Sequence, residues 1–325
     1  MPKVSKAKLE RMRPVEPSAA PPLGKYLAST DKSVRDKAIR KLAGFLSRND
    51  AEDVEGGGGR LGSDLEMKKL WKGLFYCFWM SDKPLVQQAL ATELSDLILL
   101  IDPKGCENMG ERTLAALEFV GGFWDSIVRE WSGIDRLRMD KYYMLIRRFL
   151  NATFRLLQRD NWRKESIESY NAILILLTPP PPCSIPTAAS SSTTTTSPST
   201  TASTTAAISE PSLSPPPENL PMLLNPFISL ALLTQQSTTY DRTLNNVLYP
   251  FVLSLDPSLS SSPSTSSASD LDLEAFEQVD EQLREQWKKT FMSALFQAAG
   301  GEGTRDSNRR KIYTFWKEMG GGEDD

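Results

Sequence analysis

Lys141, Arg148, Arg155 and Arg159 recur at intervals of seven, seven and four residues in the stretch "DKYYMLIRRFLNATFRLLQRDNWRK". At roughly 100° per residue they stand at about 0°, −20°, −40° and 0° on a helical wheel, a continuous cationic stripe. Residues 129 to 164 hold ten Lys or Arg against four acids, in a chain of net charge -3. Cations so arranged suit a phosphate backbone or an acidic partner; the plainer alternative is a solvated helix face. A second cluster, Arg305, Arg309, Arg310 and Lys311, crowds the start of another predicted helix in "TRDSNRRKIYTFWKEM". Positive charge there opposes the helix dipole, so these groups call for an external anion or an acidic neighbour.

Other chemistries find little support. The chain has no histidine, which removes Ser-His-Asp and Cys-His catalysis, His-ligated zinc and imidazole acid–base work together. Cys77, Cys106 and Cys183 are odd in number and lack metal-ligand spacing, as expected in a reducing compartment. Gly57, Gly59 and Gly62 spell G-x-G-x-x-G, but the preceding "NDAEDVE" is acidic and polar. A dinucleotide site needs a hydrophobic strand there, so this reads as a loop. Asp135 and Asp140 each have an arginine three or four residues away and read as helix-surface ion pairs rather than an acid–base couple. We therefore expect no enzyme, no metal, no cofactor and no small-molecule substrate.

Aromatic rings interleaved with lysine are also what single-strand nucleic-acid binders use. "LWKGLFYCFWMSDKP", residues 70 to 84, places five rings within nine positions. Trp71, Phe75, Phe78 and Trp79 follow the i, i+4, i+7, i+8 pattern of a single helix face, widened by Met67 and Leu74. Lys68, Lys69 and Lys72 fall opposite. So wide an aromatic face predicts core rather than a stacking platform, with Tyr76 at its edge.

The elements that carry these residues read as helices throughout. After a basic, Pro-rich arm over 1–28, "STDKSVRDKAIRKLAGFL" opens a helix capped by Asp31 or a neighbouring hydroxyl, with Val34, Ala38, Leu42, Phe45 and Leu46 as its stripe. Further helices are predicted at about 64–80, 83–101, 111–131, 136–158 and 163–177. Ser81 or Asp82 caps the second of these, and Pro84 sits in its first turn. In the fourth, Tyr142, Leu145, Ile146, Phe149 and Leu156 form the buried side. Residues 178–218 collapse to Pro, Ser, Thr and Ala, an expected disordered insert dispensable for folding. Helical patterning resumes over 219–319, broken by a Ser-rich loop at 256–269, and a tail follows at 320–325. Near the end, Ile312, Phe315, Trp316 and Met319 face inward.

No alternating run suggests a sheet. The expected fold is all-α, a HEAT/armadillo-like helical solenoid interrupted by the Pro/Ser/Thr-rich insert, although no strict repeat period is visible. The start lacks an apolar signal region and reads as a nuclear address or, less well, a transit peptide. The apolar stretches are too short or interrupted to cross a bilayer, so no membrane is expected.

Four stretches, "STDKSVRDKAIRKLAGFLS", "LWKGLFYCFWMSDKPLVQQALATELSDLI", "FWDSIVREWSGIDRLRMDKYYMLIRRFL" and "TRDSNRRKIYTFWKEM", resemble the ribosomal RNA processing protein 1 family. The resemblance spans residues 29–177 closely and 219–319 more loosely. It implies a non-enzymatic, all-helical nucleolar assembly factor of large ribosomal subunit precursor particles, needed for processing of their rRNA and partnered by pre-rRNA and other assembly factors. The sequence departs from the resemblance at the long insert and at "GGGEDD", where many members continue into a basic tail. The alternative expectation is a helical adaptor whose partners are proteins only.

Overall fold

The computed structural model describes residues 23–47, 64–103, 106, 108–176, 214–256 and 280–320. Most of the basic arm, the glycine-rich loop, the bulk of the Pro/Ser/Thr insert with Cys183, most of the Ser-rich loop and the final residues lie outside the described residues. The described chain is all-α, a HEAT/armadillo-like helical array, with no strand among the described residues.

Two compact units divide it. The first comprises Met1–Glu107 and Glu118–Ala152; the second comprises Asn108–Leu117 and Thr153–Asp325. The division thus falls inside helices rather than at the insert.

In the first unit, helix α1 (Leu23–Leu27) packs on α3 (Asp64–Trp79), with α2 (Lys32–Leu46) and α4 (Pro84–Leu100) beside them. Residues 23–27 were expected within the basic, Pro-rich arm and are instead helical, with Leu27 fully buried. Two glycines allow it, because a Cβ on Gly73 would lie 2.9 Å from the Gly24 Cα and carbonyl oxygen. Composition does not reveal such a backbone-to-backbone approach.

Helix α2 starts as its sequence demands, with the Asp31 carboxylate accepting the Ser33 N–H at 2.8 Å. Its buried stripe is Arg35, Ala38, Ile39, Leu42 and Leu46, rotated slightly from the expected one so that Val34 and Phe45 sit at its edge. Helix α4 has Pro84 at its first position, where a missing N–H does no harm. The expected Ser81 or Asp82 cap is corrected. Lys83 holds the N-cap position without a side-chain bond, and the Ser81 hydroxyl donates backward to the Phe78 carbonyl at 2.6 Å.

The remaining helices of the first half are α5 (Met109–Glu130), α6 (Arg136–Arg159) and α7 (Lys164–Leu176). A short 3-10 turn, Trp131–Gly133, joins α5 to α6. Helix α6 belongs to the first unit through Ala152 and to the second from Thr153 onward.

The second unit buries one contiguous cluster around Ile228, Tyr240, Val252, Phe291, Leu295 and Ile312. Its later elements are α8 (Leu220–Leu233), α9 (Ser237–Thr243), a π turn at Leu244–Leu248, α10 (Tyr249–Leu255), α11 (Glu281–Gly300) and α12 (Asp306–Glu318). Two prolines shape it. Pro226 has no N–H for the carbonyl four residues earlier, that of Met222, and the Asn171 side-chain amide of α7 donates to that oxygen at 2.6 Å. Pro250 follows the π turn, where the wider backbone ring relieves the clash between the proline ring and the preceding turn.

Candidate nucleic-acid interface

The rings of α3 are core. Trp71, Phe75 and Phe78 are 3%, 7% and 0% exposed. Phe75 stacks on Tyr142 of α6 with ring centroids 4.9 Å apart, and Trp71 packs on Phe119 at 4.6 Å. Trp79 is half-buried, its outer face covered by the Arg138 guanidinium at 4.6 Å. Arg138 also pairs with Asp135, the surface ion pair that the spacing predicts.

This packing decides the fate of Lys141. A helix leaves its last carbonyls without intrahelical donors, at the negative end of its dipole. The C-terminus of α3 points these groups at α6, and the Lys141 ammonium donates to the carbonyls of Phe78, Trp79 and Ser81 at 3.0, 2.8 and 2.8 Å. Next to it, the Tyr142 hydroxyl donates to the Phe75 carbonyl at 3.1 Å. Lys141 is only 7% exposed, and burial, aided by the charge of Arg138, pulls its ammonium down to about 8. The expectation that Lys141 belongs to an exposed binding stripe is therefore corrected.

The other members of the stripe separate as well. Arg148 is exposed and makes no hydrogen bond or ion pair among the described residues. Arg155 is exposed and engaged, while Arg159 is half-buried and engaged. Helix phase explains the split. Lys141 and Arg159 stand about 70° from the middle of the face formed by Tyr142, Leu145, Phe149 and Leu156, close enough for long side chains to fold inward. Nearly opposite that face stand Arg136 and Arg147, both exposed and both without a partner among the described residues. Alignment of cations selected the first set; distance from the apolar face would have selected the second.

The α12 cluster divides in the same manner. The Arg309 guanidinium lies across the C-terminus of α11, its Nε donating to the Ala299 carbonyl at 2.9 Å and its Nη2 to that of Gly301 at 3.3 Å. The anion expected for it is thus supplied from within. Arg305 donates to the Gln235 carbonyl at 2.8 Å. Lys311 stands 3.7 Å from the Asp241 carboxylate and over the Tyr240 ring at 4.7 Å. Arg310 alone of the four is exposed without a bond to any described residue.

Elsewhere the chemistry is muted. A cleft of about 270 Å³ lies between α2 and α4, lined by Arg35, Asp36, Cys77, Leu85 and Glu93 among others. Its two acids balance its cations. Burial pushes the Cys77 thiol up to about 11 and raises the Glu93 carboxyl, which keeps the sulfur protonated and unreactive at neutral pH. No cluster of three or more metal-ligating side chains occurs among the described residues, and no described helix is long and apolar enough to cross a membrane.

Fold and surface together define a helical-repeat protein that offers cations on helix faces. The chain belongs to the family described as nucleolar protein, Nop52, which matches residues 18–316. Among curated relatives, the human "Ribosomal RNA processing protein 1 homolog B" is 36% identical over 164 residues, 50% of this chain and 20% of that protein. The human "Ribosomal RNA processing protein 1 homolog A" is 37% identical over 153 residues, 47% of this chain and 30% of that protein. The Dictyostelium discoideum homolog is 32% identical over 104 residues, 32% of this chain and 19% of that protein. The alignments to these three relatives thus span less than a third of each relative.

Proposed function

We propose that this chain is a non-enzymatic scaffold of the nucleolus that docks on large ribosomal subunit precursors and is needed for processing of their rRNA. The observation that carries the reading is the outward set Arg136, Arg147 and Arg148 on α6, exposed and without a partner among the described residues, in a chain of net charge -3. An isolated guanidinium with no internal acceptor is available for a phosphate oxygen, and Arg binds such oxygens in bidentate fashion. The relatives named as ribosomal RNA processing proteins supply the biological setting. Arg310 of the second unit, exposed without a bond to any described residue, is a further contact of the same kind.

Replacing Arg147 and Arg148 together by Glu removes two attractions and adds two repulsions toward a phosphate backbone. In cells carrying the tagged variant in place of the native copy, the protein should shift on a sucrose gradient from precursor particles to free fractions. A variant that is folded by circular dichroism and co-sediments as wild type does would sink the docking role of α6.

Leu85 and Leu137, 79% and 93% exposed, favour a second reading in which partners are proteins only. Salt separates the two, because phosphate contacts weaken steeply with ionic strength while a packed apolar interface does not.

A further inference from the structure

The stacking rings sought in α3 are buried, but a different ring is free. Tyr143 of α6 is 47% exposed and lies one residue from the buried Tyr142, on the outward face of the helix. Half-buried Trp131, in the 3-10 turn before α6, packs edge-on against it with ring centroids 5.5 Å apart and planes at 65°. An edge-on neighbour holds a ring in place, and 47% of Tyr143 remains exposed beside it. Arg147 follows Tyr143 by one helical turn, a rise of about 6 Å, and Arg136 precedes it by about two turns. Both guanidiniums are exposed and without a partner among the described residues, while the nearby acids Asp135 and Glu130 are already held by Arg138 and Arg129. Asp140, exposed one turn before Tyr143, lies on the Arg136 side of the ring.

We propose that Tyr143, braced by Trp131, stacks an unpaired RNA base whose adjoining phosphate is held by Arg147. The inference rests on the RNA contact proposed above and adds the kind of RNA. A duplex presents phosphates and hydroxyls but hides its base faces, whereas a single strand offers a base to the ring and a phosphate to the arginine within one turn. An acidic protein segment would use the arginines and leave the ring idle.

The test uses the whole chain and fluorescence anisotropy with a labelled 12-residue oligouridine and with an RNA duplex of equal length. Wild type should prefer the single strand. Tyr143→Leu should weaken oligouridine binding by about five- to 150-fold, with little change for the duplex, and Tyr143→Phe, which keeps the ring, should bind as wild type does. Arg147→Glu with Arg148→Glu should weaken binding to both RNAs. If that double variant loses RNA while Tyr143→Leu does not, α6 holds phosphates only and the stacking inference is overturned with the docking reading intact. Wild type that binds neither RNA overturns both. Circular dichroism of each variant confirms that the fold is present.

Discussion

Lys141 and Arg147 stand six residues apart on one helix and have opposite surroundings. Lys141 is 7% exposed and spends its three donors on the C-terminal carbonyls of α3. Arg147 is exposed and donates to no described group. Arg309 and Arg310 repeat the contrast in the second unit, where Arg309 closes the end of α11 and its neighbour reaches outward. The lesson is that a basic stripe is not one thing. A cation near an apolar face serves the carbonyl end of whichever helix packs there, and only cations opposite that face remain for a partner.

The largest expected effect tests the inward side through its rings. Phe75→Ala removes the ring stacked on Tyr142 and should cost about 3 to 5 kcal/mol in urea unfolding. A variant of unchanged stability with lost RNA association would reverse the assignment of inward and outward rings.

Next comes Lys141→Met, which keeps the stem and deletes the donors. The Phe78 carbonyl keeps the Ser81 N–H and hydroxyl and the Ser81 carbonyl keeps the Gln87 amide, so the Trp79 carbonyl is the acceptor that loses its Lys141 donor. An unsatisfied buried acceptor costs about 1 to 3 kcal/mol, and a loss of roughly 2 kcal/mol is expected. The pH dependence sharpens this. The folded value lies near 8 and the ordinary lysine value is 10.5, so the unfolded chain binds more protons between them. Stability contributed at this site is therefore lowest, and constant, below about pH 8 and rises as pH climbs toward 10.5. Urea titrations at pH 7 and pH 10 should show wild type gaining on Lys141→Met at the higher pH. An unchanged difference would mean that Lys141 is as well solvated folded as unfolded.

The smallest effects come from α12. Arg309→Ala should lose about 1 kcal/mol, the ordinary worth of a hydrogen bond to a helix end, whereas Arg310→Ala should stay within about 0.5 kcal/mol. Equal losses at the two positions would erase the inward–outward distinction in the second unit.

Much of the fold was legible in the chain. Helices predicted at about 64–80, 83–101 and 136–158 are found at Asp64–Trp79, Pro84–Leu100 and Arg136–Arg159. Asp31, Pro84 and the aromatic spacing of α3 carry local physics that tertiary context does not override: a cap, a preset backbone angle and an apolar face one-third of a helix wide. The Asn171 bond to the Met222 carbonyl was not legible, because the proline that frees that oxygen and the amide that satisfies it are 51 residues apart.

By itself, then, the sequence determined where most of the long helices lie and which of their faces are apolar. These follow from periodicity and composition, properties of each segment taken alone. Only the tertiary structure decided which cations are spent inside. A helix end exposes unpaired carbonyls in a direction set by packing, and whether Lys141 meets them depends on how α3 and α6 come together, 60 residues apart in the chain. The same packing left Tyr143 and Arg147 outside.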